Sequence, residues 1–358
     1  MNILITGIHG FVGTNLVQAL KANHSIYGLD IVSPQKEGVV HTFGWNDLDA
    51  LPPIDAIIHL AGKAHDTKNQ TVAQTYFDIN TGLTQKIYNW FRASSATKFI
   101  FFSSVKAAAD RVEGILTEEV EPTPLGPYGE SKIAAEKYIL VETQCFASEN
   151  TKKTQIIASD SETQSVAIDS ETQSVAIDSE TQSIAIDSET QSIASLRQNY
   201  YILRPCMIHG PGNKGNLNLL YNVVKRGIPY PLGAFENRRS FCSIDNLSYV
   251  INGLIANDVE SGVYNVCDDE TVSTNELIEI ISSSLGKERQ IWHLNKKFIE
   301  LAAKVGSVLH LPLNTERLQK LTENYVVSNA KIKKALGIKA MPVSASEGLI
   351  KTLKSFRE

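Results

Sequence analysis

The first thirteen residues, MNILITGIHGFVG, run an apolar stretch, Ile3-Leu4-Ile5, straight into a turn carrying Gly7, Gly10 and Gly13. Residues without a β-carbon let the backbone turn tightly and come close to another group. Helical periodicity follows at Phe11, Leu16 and Leu20, so the turn opens a helix whose free amides and positive dipole end suit a phosphate. Asp30 closes a second strand-like stretch, where a carboxylate accepts hydrogen bonds from ribose hydroxyls and repels a 2′-phosphate. The pattern therefore predicts a dinucleotide site that favours NAD(H) over NADP(H). Its spacing is G-x-x-G-x-x-G, not the common G-x-G-x-x-G, so the weight lies on the strand, the helix and the acid around the glycines.

At 358 residues, the chain is long enough for a main domain and a smaller one. A net charge of −5 without a concentrated basic stretch argues against a nucleic-acid partner. Cys145, Cys206, Cys242 and Cys267 form no C-x-x-C pair, so they read as reduced core or pocket thiols instead of a zinc or disulfide framework. The eight histidines show no ligand spacing, and no metal is assigned. The first strand begins at residue 3 and no apolar run is long enough to span a bilayer. The expected compartment is the cytoplasm, with no membrane insertion.

Apolar strands at 26–31, 56–61, 99–102 and 201–203 alternate with amphipathic helical segments at 81–91 and 131–141. That order predicts an α/β fold, a Rossmann-type doubly wound parallel sheet with a smaller α/β substrate-binding domain. The expected division is a dinucleotide-binding domain at 1–150, completed by 196–205 and about 238–267, and a substrate domain at 206–237 and 268–358. The second part has Gly- and Pro-rich segments between helices at 217–225 and 274–285 and a strand at 262–266. Residues 151–195 stand apart, because from Ser161 they repeat SETQSVAID with a nine-residue period. Nine residues make two and a half helical turns, so Val166, Val175 and Ile184 cannot share a helix face, and an odd period fails a strand as well. The expectation is a mobile surface insertion without chemical role, which a parent fold tolerates at modest entropic cost.

Tyr128 and Lys132 stand one helical turn apart after Gly126-Pro127, a helix-start signal. An ammonium and a helix amino terminus stabilise a phenolate, so the pair is expected to bring the Tyr128 pKa down toward a range useful for proton transfer. Tyr221 and Lys225 share the spacing but sit mid-helix with nothing chemical around them, and are expected to be core. Ser103 and Ser104 end the buried strand FIFF, where a hydroxyl can hydrogen-bond a substrate oxygen while its neighbour merely caps the turn.

Taken together, TGxxGxxG, Asp30, DAIIHLAG at 55–62, Asn80, FFSS, PYGESK and LRPCMIHGPG resemble the extended short-chain dehydrogenase/reductase family, in its NAD-dependent sugar epimerase/dehydratase group. The resemblance implies Tyr128 as catalytic acid/base, Lys132 as the group that tunes it and holds the nicotinamide ribose, and Ser104 as the polarising hydroxyl. It implies cofactor contacts at Gly7, Gly10, Phe11, Val12, Gly13, Asp30, Leu60, Ala61, Gly62, Asn80 and Pro205, and substrate contacts at Ser104, Asn216 and Arg239, the last two on the diphosphate of a UDP-sugar. A homodimer through the helices near Thr81 and Ser131 is implied by the family alone.

Val105-Lys106 follows Ser104 where related dehydratases carry Asp-Glu, so dehydration is disfavoured. The expected reaction is hydride transfer at the hexose 4-position, as 4-epimerisation or 4-keto reduction in bacterial surface-polysaccharide synthesis. SSVK, GPGNKGN and PLGAFENRRSF are similar to a subgroup labelled UDP-glucose 4-epimerase-like that includes 4-keto-6-deoxy-hexosamine reductases. Cys206 stands where proline is common in it and His209 where tyrosine is frequent. The competing class is a non-catalytic dinucleotide sensor or scaffold of the same fold, which an intact Ser-Tyr-Lys set disfavours. Deleting 161–187, three whole repeat units, is expected to leave activity intact in a turnover assay, and a large loss would show that the insertion participates.

Overall fold

In the computed structural model, residues 1–63, 72–143, 198–213, 215–309 and 314–357 are described. The repeat insertion and Cys145 lie outside them. Ile3, Leu4 and Ile5 are fully buried in strand β1 (Asn2–Thr6), an unbroken apolar run because both sheet faces are covered. The chain continues through β2 (Ser25–Leu29), β3 (His41–Phe43), β4 (Ala56–His59), β5 (Lys98–Phe102), β6 (Ile115–Leu116), β7 (Asn199–Pro205), β8 (Met207–His209), β9 (Arg239–Ser243), β10 (Gly262–Val266), β11 (Thr271–Val272) and β12 (Val326–Val327). Seven strands form one sheet in the order β10-β7-β5-β4-β1-β2-β3, with every pairing parallel. The chain moves outward from β1 to β2 and β3, then returns to β4 on the other side of β1. That reversal opens a crevice at the carboxyl ends of β1 and β4.

Alternation along β5 assigns the two faces. Ile100 and Phe102 join one apolar cluster with Leu16, Val17 and Leu20 of helix Phe11–Leu20, while Phe99 and Phe101 join another with Ile87, Tyr88 and Phe91 of helix Leu83–Ala93 and with Ala135 and Ile139. The helix expected at 81–91 is part of a longer helical run. Ala73–Tyr76 passes through a π turn, Phe77–Gly82, into Leu83–Ala93. The strand expected at 26–31 stops at Leu29, leaving Asp30 at its end and Ile31 87% exposed. Edge strand β3 was not foreseen, because only Thr42 of its three residues is buried.

In the second part, β9 pairs parallel with β8 and antiparallel with β11. Helices Asn216–Lys225, Thr274–Leu285 and Ala345–Ser355 pack on this small sheet through Tyr221, Phe241, Ile281 and Leu349. Within 238–267, β10 extends the main sheet while β9 belongs to the small one. A parallel pair, β6 with β12, ties the end of the chain to the first half.

His59, at the end of β4, is fully buried between Thr6 and Thr84. The Thr84 hydroxyl donates to Asn80 O at 2.6 Å, so it accepts from His59 Nε2 at 3.0 Å, and the Thr6 hydroxyl donates to His59 Nδ1 at 2.7 Å. The ring is thus neutral, and burial, helped by the charge of Lys132, holds its pKa down to about 3. Below pH 6.5 the unfolded chain takes up a proton that the folded one refuses, so stability falls as pH drops from 6.5 toward 3, by about 1.4 kcal/mol per pH unit. Denaturant titrations between these values should show that slope flattened in His59→Gln; equal slopes would refute the assignment.

Candidate active site

Ser104 sits just beyond β5, 9% exposed, as the amino-terminal cap of the short helix Val105–Ala108, accepting from Lys106 N at 3.2 Å. The capping serine is therefore Ser104 itself. Tyr128 lies in the first turn of a helix described over 127–143, entered through Gly126 at φ +83° and Pro127, whose ring suits that position. A hydrogen bond joins the Tyr128 and Ser104 side chains, and the Tyr76 ring meets Tyr128 edge-on at 6.2 Å. Burial pushes the Tyr128 phenol up, the bond with Ser104 draws it back, and Tyr76 pushes it further up.

The expected lowering by Lys132 is thus not found. Lys132, 5% exposed, donates to Phe102 O at 2.8 Å and lies 5.1 Å above the Phe101 ring. Its ammonium is turned to the sheet edge, and burial brings its pKa down to about 8 against the opposing charge of Glu136.

One turn beyond Lys132, the fully buried Glu136 accepts from Arg204 Nε at 3.0 Å and from a terminal guanidinium nitrogen at 2.6 Å. Its other contact is the Ser103 hydroxyl. Ser103 is therefore held in this ion pair beneath Ser104 and does not cap the turn. Sequence reasoning missed Glu136 and Arg204, although two charges inside apolar stretches, one of them at i+4 from Lys132, were the available signal.

The glycines enclose a cradle. Gly7 has φ +68°, and a β-carbon on it would lie 2.9 Å from Ala61 N; one on Gly13 would lie 2.7 Å from Gly7 O. Helix Phe11–Leu20 starts at Phe11 and Val12 with no side-chain cap from Gly10, which leaves amides available to an anion. Asp30 accepts from His9 N at 3.0 Å and Ile31 N at 2.7 Å, fixing its carboxylate beside the first turn. Leu60 donates its amide to Thr6 O and Ala61 N donates to the Thr6 hydroxyl at 3.0 Å. A β-carbon on Gly62 would meet Asn80 Oδ1 at 2.9 Å and Lys132 Nζ at 3.2 Å. Asn80, set by the π turn, is fully buried, accepts from Lys63 N at 2.7 Å and donates to Ser131 Oγ at 2.9 Å. Pro205 ends β7 opposite Val266. Close backbone approach, an uncapped helix start and a buried ammonium fit a bound dinucleotide.

The two expected substrate residues lie in the second part. Asn216 is exposed at the start of helix Asn216–Lys225. Arg239, in β9, donates to Lys320 O, and its Nε is buried without a partner. Tyr221 is 2% exposed with Lys225 Nζ 5.8 Å above its ring, a core position as expected. Cys206, Cys242 and Cys267 are buried free thiols. His209 is fully buried and bonded to Thr352 at 2.9 Å.

Residues 3–147 match the model of the NAD dependent epimerase/dehydratase family. Across 99% of this chain and 95% of its own length, a UDP-glucose 4-epimerase of Vibrio cholerae is 27% identical. The N-acetyl-alpha-D-glucosaminyl-diphospho-ditrans,octacis-undecaprenol 4-epimerase of Escherichia coli O157:H7 is 24% identical over 93% of this chain and 85% of its own. Among solved structures, the UDP-N-acetylglucosamine 4-epimerase of Bacillus cereus superposes over 100% of both chains with TM-score 0.67 at 16% identity. MoeE5 in complex with UDP-glucuronic acid and NAD covers 100% of this chain and 99% of its own, with TM-score 0.67 at 18% identity. The likeness in fold to these structures therefore extends through the second part.

The ion pair under the site carries a measurable burden. Glu136→Gln leaves the Arg204 guanidinium buried without its counter-charge, which is expected to cost about 3–5 kcal/mol. Chemical denaturation should record that loss, and a change below about 1 kcal/mol would show that the pair does not hold the site.

Proposed function

We propose that the chain is an NAD-dependent oxidoreductase of nucleotide sugars, acting at the hexose 4-position by 4-epimerisation or 4-keto reduction of a UDP-linked sugar. The observation that carries this reading is the hydrogen bond between Ser104 and Tyr128 at the lip of the crevice, with Lys132 buried one turn away. Gly7, Gly10, Phe11, Val12, Gly13, Asp30, Leu60, Ala61, Gly62, Asn80, Lys132 and Pro205 would hold the cofactor. When bound, NAD supplies the acceptor or donor of a hydride.

Tyr128 exchanges the proton of the sugar 4-oxygen, and Ser104 donates to that oxygen as charge develops on it. A phenol kept protonated by burial suits delivery of a proton to a 4-keto oxygen. Lys132, charged below about pH 8, stabilises negative charge at the crevice. Arg239 and Asn216 would take the diphosphate, and the buried free Nε of Arg239 is a donor in need of such an acceptor.

Support for a 4-position reaction comes from the Vibrio cholerae and Escherichia coli relatives, both named 4-epimerases. A GDP-6-deoxy-D-mannose reductase of Pseudomonas aeruginosa, 23% identical over 81% of this chain, keeps 4-keto reduction beside it. Residues 1–150, completed by 196–205 and part of 238–267, form the dinucleotide domain in this reading. Residues 206–237 and 268–358 form the sugar-nucleotide domain, and the protein is a cytoplasmic homodimer serving surface-polysaccharide synthesis.

Incubation with UDP-hexoses, and separately with a UDP-4-keto-6-deoxy sugar and NADH, tests the reaction. An epimerised product without net NADH consumption identifies an epimerase, stoichiometric NADH oxidation a reductase, and neither refutes the proposal. Tyr128→Phe should lower turnover by about 10²–10⁴-fold while dinucleotide binding, followed by fluorescence, stays unchanged.

A further inference from the structure

Helix Lys296–Val308 presents apolar side chains on two opposed sides. Ile299 and Ala303 are buried against Leu232 and Leu318. On the far side Phe298 is 66% exposed, Leu301 60%, Val305 48% and Val308 76%. At about 100° per residue these four fall within roughly 80° of one another, away from the buried pair, and Lys297 and Lys304 border them along one side. Single exposed apolar residues are ordinary, whereas four in register on one helix form a surface that water covers at a cost.

The stretch of chain that carries this face is basic although the chain is acidic overall. Residues 287–323 carry seven Lys and Arg against four Glu and no Asp, in a chain of net charge −5. An apolar row with lysines along one side matches the boundary between lipid headgroups and acyl chains of an anionic bilayer. Trp292, 56% exposed and four residues ahead of the helix, is of the type enriched at that depth. A second copy of the chain fits less well, since a two-fold interface here would bring the same positive margin toward itself.

The face lies one helix away from the candidate diphosphate arginine. Leu318 of helix Thr315–Thr322 packs in the same cluster as Ile299. From that helix, Lys320 O accepts from Arg239 and Leu321 O accepts from Asn237 Nδ2 at 3.2 Å. Arg239 forms an isolated bridge with Tyr325, over whose ring Lys106 Nζ lies at 4.7 Å, two residues from Ser104.

We propose that the outward face of helix Lys296–Val308 docks on an anionic membrane surface. Phe298, Leu301, Val305 and Val308 sit among the acyl chain ends nearest the headgroups, and Lys297 and Lys304 meet lipid phosphates. The docking stands on this face alone; that it brings the diphosphate arm of the site to the bilayer rests on the reading of Arg239 given above.

Co-sedimentation of the full chain with vesicles of phosphatidylcholine, and of phosphatidylcholine mixed equally with phosphatidylglycerol, tests it. Binding is expected on the mixed vesicles, weakened by salt, and reduced at least about tenfold both in the triple variant Phe298→Ser, Leu301→Ser, Val305→Ser and in the double variant Lys297→Glu, Lys304→Glu. Turnover of a soluble UDP-hexose should be unchanged in both. No binding by the wild-type chain, or undiminished binding by the variants, overturns the proposal. It is also overturned if light scattering shows a smaller oligomer in the serine variant and vesicles bind neither protein, since the face then joins copies of the chain. Vesicle binding without turnover of any UDP-hexose would leave the docking standing and remove the reading of the site.

Discussion

A lysine ammonium and a carboxylate–guanidinium pair are buried within one helical turn of each other at the carboxyl edge of β5. Each would be costly alone in that position. Glu136 settles the account by facing three partners at once: it is bound by Arg204 from β7 and by Ser103 from the end of β5, and its charge supports Lys132 on its own helix. Helix 127–143 is thereby fixed in rotation against two neighbouring strands. That rotation decides where Tyr128 and Lys132 point, and with them Ser104, Gly62 and Asn80.

The charge on the ammonium has a second effect, on the same face of the sheet, where His59 stacks on the Phe101 ring that lies under Lys132. It helps keep His59 neutral, and neutral His59 can accept from Thr6 while donating to Thr84. Thr84 in turn bonds the carbonyl of Asn80, and Thr6 holds the amide of Ala61. The backbone at 60–62 and the amide side chain at 80 are thus positioned from beneath by one buried ring.

Those features that depend on local sterics were legible in the sequence. Gly7 and Gly13 stand where the chain nearly touches itself, and only a missing β-carbon allows that. Tyr128 and Lys132 are four apart on one helix, so their shared face follows from helical geometry alone. What stayed hidden depends on partners far along the chain. Glu136 and Arg204 are 68 residues apart with the repeat between them, so neither announces the other. The division of labour between Ser103 and Ser104 turns on which way a strand end twists, and the raised Tyr128 pKa turns on burial, which outweighs the hydrogen bond from Ser104. Strand β3 has one buried residue in three, too few for a periodicity to reveal.

The π turn at Phe77–Gly82 carries one residue more than an α-helical path of the same length needs. Removing a residue there would restore regular winding with the flanking segments near their present faces, but the widened turn that seats Asn80 over Gly62 would be lost. The segment therefore has a fixed length as well as a fixed composition. Chains diverging from this one can exchange side chains through 73–93 far more readily than they can gain or lose a position in it.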